Sequence, residues 1–237
     1  MRTELATLKF LFECGISDIL GDSPVNRMVK PEIKTHKATL QPRIEVVSSI
    51  STSASMPAFD VPDFKDVSTL SDLFSKIEGL DLPLQRTARS ALFSDGSPKA
   101  EIVFLTAVPS LDDDRDGQLI SGKTGVLWDA MLKAIDLSRG KTYTMTVSPF
   151  RPPAGRRLTK DEAVFFTALF KKHFSLLSPK MIVALGTRAE AFLNTCGLDL
   201  PVHVMPHPED ILKDASLKPK AWEVLKKIRE DLSHANA

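Results

Sequence analysis

From Lys99 onward the chain alternates short apolar runs with longer amphipathic stretches, and that alternation constrains its fold more than any other feature. Ile102 to Val108 reads as an apolar strand. Tyr143 to Val147, Met181 to Leu185 and Val202 to Met205 read as three more. Between them the spacing predicts helices over Gly122–Leu137, Thr159–Leu177 and Arg188–Thr195, with Phe166, Leu169, Phe170 and Leu177 turned to the core. A closing helix, Pro219–Leu232, carries Trp222, Leu225, Ile228 and Leu232 on one face. Strands alternating with helices predict an α/β protein: a three-layer α/β/α sandwich with a central, mainly parallel four-stranded sheet. Ligands on such sheets bind beyond the carboxyl ends of the strands. Function is therefore expected in the loops after Val108, Val147 and Met205.

The first third reads differently. Residues 2–14 form a short helical pattern with Leu5, Leu8, Leu11 and Phe12 near one face, which sets off residues 1–21 as an N-terminal helix. Residues 22–66 hold Pro24, Pro31, Pro42, Pro57 and Pro62 and the run Ser48-Ser49-Ile50-Ser51-Thr52-Ser53. They show no sustained period and read as a flexible linker. Residues 67–237 form the domain, opening with a short amphipathic helix from Ser71 to Leu80.

The chain has 237 residues, a net charge of +1 and two cysteines, Cys14 and Cys196. With so small a net charge, nucleic-acid binding must come from local basic patches. Two cysteines make neither a disulfide framework nor a four-thiolate metal site, and a reducing cytoplasm is the simplest setting. The apolar run Leu8–Phe12 is too short to span a bilayer, and Glu4 and Glu13 flank it without a small-residue cleavage site after it, so neither a membrane span nor a signal peptide is expected.

Gly117 to Thr124 matches the phosphate-binding pattern GxxxxGK[ST] in full. Such a loop must start directly at a strand end. Here Pro109 to Asp116 intervenes, carrying Asp112, Asp113, Asp114 and Asp116, whose charges would repel a triphosphate. A glycine-permitted turn entering a helix is the preferred reading.

Four other stretches, in order and at fixed spacing, carry a resemblance. They are Leu84-Gln85-Arg86-Thr87-Ala88 with Phe93 to Pro98; Pro109, Asp112, Asp114, Arg115, Gly117, Gly122 and Gly125; Pro149-Phe150-Arg151-Pro152-Pro153; and His207-Pro208 with Ile211-Leu212. Together they resemble the iron–sulfur (family 4) uracil-DNA glycosylases, from Leu84 to the end of the chain. The resemblance implies base-excision repair: extrusion of a damaged base from DNA and hydrolysis of its N-glycosidic bond.

The sequence departs from that family at the positions that matter. Three of the four cluster cysteines align with Gly79, Leu82 and Phe166, so no family-type iron–sulfur cluster can form and no cofactor is expected. The family's first loop, Gly-Glu-Ala-Pro-Gly, corresponds to Thr106-Ala107-Val108-Pro109-Ser110, which replaces a water-positioning acid with Ala107. The stacking aromatic falls on Ile120, and the Asn that reads the base edge falls on Thr146. Ala107, Pro109, Ile120 and Thr146 are thus the expected base-pocket positions.

The resemblance keeps His207, whose role would be to donate a hydrogen bond to the departing base. Asp112 and Asp114 could supply a replacement base, although a solvated acidic turn paired with Arg115 is the plainer reading. Arg151, Arg156, Arg157 and Lys160 after one strand end, with Lys213, Lys218 and Lys220 after another, could neutralise phosphates of double- or single-stranded DNA. Ile211 and Leu212 could enter the base stack as a wedge. The expectation is a monomeric, DNA-binding glycosylase-like protein with reduced or altered uracil activity. The alternative is a non-catalytic scaffold of the same fold that binds DNA or a partner, with residues 2–14 docking in a groove of a protein partner.

Overall fold

The computed structural model describes residues 62–198 and 200–235. The expected helix at 2–14 and all of the expected linker except its last residues lie outside that range.

Five strands form one sheet in the order β1-β3-β2-β4-β5. They are β1 (Ser94–Gly96), β2 (Ile102–Thr106), β3 (Tyr143–Thr146), β4 (Met181–Leu185) and β5 (Val202–Met205). The last four are parallel, and β1 runs antiparallel along the outer edge of β3. The sheet therefore has one strand more than the four expected. β1 is the tripeptide Ser-Asp-Gly, half-exposed, and an edge strand of that composition carries no apolar signal to read.

Every residue of β2 and of β4 is buried. Parallel strands covered on both faces need apolar side chains in both directions, which explains the unbroken runs Ile-Val-Phe-Leu and Met-Ile-Val-Ala-Leu. Alternate residues feed two cores. Val103, Leu105, Ile182 and Ala184 pack with Leu73 and Ile77 of helix α1 (Leu70–Glu78), Phe165, Phe166, Leu169 and Phe170 of α4 (Lys160–Ser175), and Ala189 and Leu193 of α5 (Gly186–Cys196). Ile102, Phe104, Met181 and Val183 pack on the other face. Their partners are Trp128, Met131 and Leu132 of α3 (Gly122–Lys133), Ile211 of α6 (Pro208–Lys213), and Leu225 and Ile228 of α7 (Lys218–Ala235). This is the three-layer sandwich. Each fully buried large side chain contributes about 1.5–3 kcal/mol relative to exposure, and the largest, Trp128, meets Phe104 edge-on at 4.7 Å.

Several boundaries shift. The first strand stops at Thr106, and α3 ends at Lys133, where Asp136 (φ +61°) turns the chain. On α7 the buried face is Ala221, Leu225 and Ile228, which leaves Trp222 43% exposed rather than in the core. Phe64 and Val67 are buried in the α1–α4 core, so packing begins within the last residues of the expected linker. No helix among the described residues is long and apolar enough to cross a membrane.

Candidate active site

A cleft of about 410 Å³ opens beyond the carboxyl ends of the parallel strands. Four strand-end loops contribute to it: Thr106 to Leu111 after β2, Arg151 and Gly155 after β3, Leu185 to Arg188 after β4, and His207 to Lys213 after β5.

His207 is the N-cap of α6, and its Nδ1 accepts the Glu209 amide at 3.2 Å. A nitrogen that accepts an N–H carries no proton, so the proton of the neutral ring sits on Nε2, 3.3 Å from the Thr106 hydroxyl. Burial lowers the His207 pKa; the carboxylates of Glu209, Asp210 and Asp113 oppose that shift without cancelling it. His207 is therefore a neutral Nε2–H donor at the cleft wall. Its place is fixed from behind by Gly186, which opens α5 at φ +81°. A Cβ there would stand 3.2 Å from His207 Cβ.

Of the four expected base-pocket positions, Ala107 and Pro109 line the cleft; Ile120 and Thr146 do not. Ile120 is 1% exposed in the core beside Trp128, at φ +51°, an unfavourable conformation for a β-branched residue. Arg139 holds that turn by donating to the carbonyls of Leu119 (2.7 Å) and Ile120 (2.6 Å), while Asp95 and Asp129 pair with its guanidinium. Thr146 is buried, with its hydroxyl directed at the carbonyls of Ser148 (2.9 Å) and Ala107 (3.2 Å).

Of the acidic turn's Asp112, Asp113 and Asp114, the one that lines the cleft is Asp113. Side chains on a helix advance about 100° per residue, so one of three consecutive aspartates faces inward. In α2 (Leu111–Asp116) that one is Asp113, 4% exposed. Asp112 pairs with Arg115 at 3.1 Å, and Asp114 accepts the amides of Arg89 (2.8 Å) and Ser90 (3.2 Å). Asp113 accepts the Ser110 amide at 3.0 Å and the Ser121 amide at 2.7 Å. The second contact settles the phosphate-loop pattern. The loop follows a helix that ends at Gly117 in the left-handed region, and a carboxylate of the chain itself occupies the Ser121 amide at the start of α3.

Among the expected phosphate contacts, Arg151 and Lys213 line the cleft, and Lys213 pairs with Glu209 at 2.7 Å. Arg157 and Lys160 are exposed away from it. Arg156 has another duty: both terminal nitrogens donate to the buried Glu162 carboxylate at 2.7 Å. Of the two wedge candidates, Ile211 is 2% exposed and packed in the core, so it cannot reach a base stack; Leu212 is 50% exposed. Arg188 was missed. It lines the cleft from the first turn of α5, where the sequence gives a helix start and no functional signature.

The positions aligned with cluster cysteines do not fit a metal cluster. Leu82 and Phe166 line one crevice with Leu84, Phe165 and Glu162, with no room for a water molecule. Gly79 is the C-cap of α1. Cys196 is buried at the end of α5, its thiol pKa raised by burial, and no group of residues among those described could hold a metal ion.

Comparison with known proteins bears on this arrangement. A type-4 uracil-DNA glycosylase of Archaeoglobus fulgidus is 33% identical over 110 residues, 46% of this chain and 55% of that protein. One of Sulfurisphaera tokodaii is 30% identical over 105 residues, 44% of this chain and 48% of that protein. One of Thermotoga maritima is 28% identical over 123 residues, 52% of this chain and 63% of that protein. The matched stretch thus spans about half the length of the first two relatives. The family model of the uracil DNA glycosylase superfamily matches residues 93–232, from the residue before β1 into α7 and across every loop of the cleft, and the chain belongs to that superfamily.

Proposed function

We propose that this protein binds DNA and hydrolyses the N-glycosidic bond of a damaged base, with uracil as the inherited substrate and uracil activity reduced or altered. The observation that carries the reading is His207, held as a neutral Nε2–H donor at a cleft formed by four strand-end loops. An extruded nucleotide enters the cleft. As the bond from C1′ to the base nitrogen breaks, negative charge gathers on the base, and Nε2–H donates a hydrogen bond to a base oxygen. A water oxygen bonds to C1′, and its proton leaves to solvent or to the base. The Asp113 carboxylate contributes negative charge beside the positive sugar, but its oxygens accept the Ser110 and Ser121 amides, which weakens it as a proton acceptor. Ala107 lines the cleft without a carboxylate to position water, and neither Ile120 nor Thr146 presents a side chain to it, which supports the altered specificity.

The committed state of Asp113 also favours a second reading, a non-catalytic DNA- or partner-binding scaffold. One assay separates the two: formation of alkali-labile sites in end-labelled DNA carrying uracil or a panel of other damaged bases. The catalytic reading expects cleavage of at least one substrate that His207→Ala reduces by roughly 10²-fold or more. No cleavage of any substrate at enzyme excess leaves the scaffold.

A further inference from the structure

We infer that Arg151 and Arg188 form a two-sided clamp for one backbone phosphate next to the nucleotide that faces His207. The inference rests on the DNA-binding reading above and extends it to a defined anion subsite.

The two arginines reach the same cleft from different parts of the fold, Arg151 from the loop after β3 and Arg188 from the first turn of α5 after β4. Their state and place together set them apart. Arg86 is paired with Asp81, Arg115 with Asp112 and Asp116, Arg139 with Asp95 and Asp129, and Arg156 with Glu162. Among the described residues, Arg89, Arg157 and Arg229 are in no salt bridge but do not line the cleft, whereas Arg151 and Arg188 line it and have no salt-bridge partner. The Arg151 guanidinium lies beside Gly155, where a Cβ would stand at ordinary contact distance, 3.9 Å, from Nη2.

The remaining charges of the cleft decide what it attracts. Glu209 is neutralised by Lys213. The formal charges of the cleft balance, with Arg151, Arg188 and Lys213 against Asp113, Glu209 and Asp210. Asp113 is buried and both of its oxygens accept backbone amides, so its carboxylate is turned away from the two guanidinium groups, which keep their donors free for a ligand oxygen. A phosphodiester is a monoanion whose paired oxygens match the guanidinium fork. His207 lies on the same wall system, so a phosphate held here belongs to the strand that carries the base.

The test uses the full chain and duplex DNA containing a tetrahydrofuran abasic analogue, with binding followed by fluorescence anisotropy. In a series of duplexes, each phosphate flanking the analogue is replaced in turn by an uncharged methylphosphonate. The clamp predicts that one position costs the parent protein about tenfold or more in affinity, about 1.4 kcal/mol, because charge-assisted hydrogen bonds to that phosphate are lost. Arg188→Gln and Arg151→Gln should each bind unmodified DNA about tenfold more weakly and show little or no further loss at that position. Arg157→Gln, outside the cleft, should weaken binding modestly and keep the positional loss in full. Thermal melting checks that each variant is folded.

An even response to all methylphosphonates overturns the clamp and leaves DNA binding intact. So does a positional loss that persists in Arg188→Gln. Absence of any DNA binding by the parent overturns the reading and the clamp together. If inorganic phosphate protects Arg188 from guanidine-directed modification at micromolar concentration while DNA does not, the subsite serves a free anion, and the assignment to the DNA backbone is wrong.

Discussion

The two terminal nitrogens of Arg156 grip both oxygens of the Glu162 carboxylate, 2.7 Å on each side. Glu162 belongs to α4 and closes a capping box with Thr159, while Arg156 belongs to the loop that carries Arg151 into the cleft. Glu162 also lines the apolar crevice of Leu82 and Phe166, so one buried carboxylate joins loop, helix and core.

Removing one partner leaves the other without compensation. Glu162→Gln should lower stability by about 2–4 kcal/mol, since breaking buried pairs typically costs about 3–5 kcal/mol and Arg156 is itself part-exposed. The effect has a pH signature. Burial pushes the Glu162 carboxyl up, but Arg156 and the Thr159 amide outweigh that and hold it below the ordinary value of 4.5. A depressed folded pKa gives stability that is present above the unfolded value and is lost as pH falls through the folded one. Urea titrations of the parent and Glu162→Gln should therefore differ fully at pH 7 and converge at pH values below 4.5. A constant gap across that range would show that the carboxylate charge is not what stabilises the loop.

A second acid-sensitive group lies in the α1–α4 core. His173 Nε2 meets the Tyr143 hydroxyl at 2.7 Å, and burial lowers the His173 pKa from 6.5 to about 4. The unfolded chain takes up that proton first, so stability should fall as pH drops from 6.5 towards 4, by about 3 kcal/mol in all. His173→Gln should flatten this part of the pH–stability curve. Burial also raises Tyr143 to about 12, which predicts a further loss above pH 10. A parent curve that is level between pH 6.5 and 4.5 would contradict the His173 assignment.

Leu82 and Phe166 meet in a crevice too small for water, which predicts a colourless, iron-free protein. Metal analysis should find no stoichiometric iron, and the visible spectrum should show no charge-transfer band. Melting temperature should be the same with and without a strong chelator. Iron that copurifies at a fixed ratio would sink this prediction.

Of the three altered positions only Ala107 lines the cleft. Ala107→Glu is expected to raise single-turnover uracil excision by roughly 10²-fold by returning a carboxylate to the cleft wall. Adding His207→Ala should remove the gain. Ile120 sits in a packed core, so Ile120→Phe should bring no gain and should cost about 1–3 kcal/mol of stability. A parent protein that already cuts uracil as fast as Ala107→Glu would show that the missing carboxylate does not limit the reaction.

The parallel strands and the helices between them were legible because apolar periodicity reports burial. β1 was not, since an edge strand of Ser-Asp-Gly contributes hydrogen bonds and no apolar side chain. The position of His207 beyond a strand end was legible from the apolar run before it and Pro208 after it. Asp113 was hidden between Asp112 and Asp114, because composition gives the acidic turn but only helix phase picks the inward member. The surroundings of Arg156 and Arg188 were illegible for a similar reason: sequence counts cations, and only the fold shows that Glu162 pairs with Arg156 and that Arg188 lines the cleft.

Gly186 carries no functional group, yet its bare α-carbon sets how far His207 stands from the strand ends. The smallest side chain placed there would press on the root of the His207 side chain, 3.2 Å from its Cβ. The cleft thus has a spacer as well as a donor, and the spacer works only by being small. A map of mutational tolerance should show Gly186 as intolerant of any side chain, because both the space behind His207 and the left-handed backbone, φ +81°, require glycine.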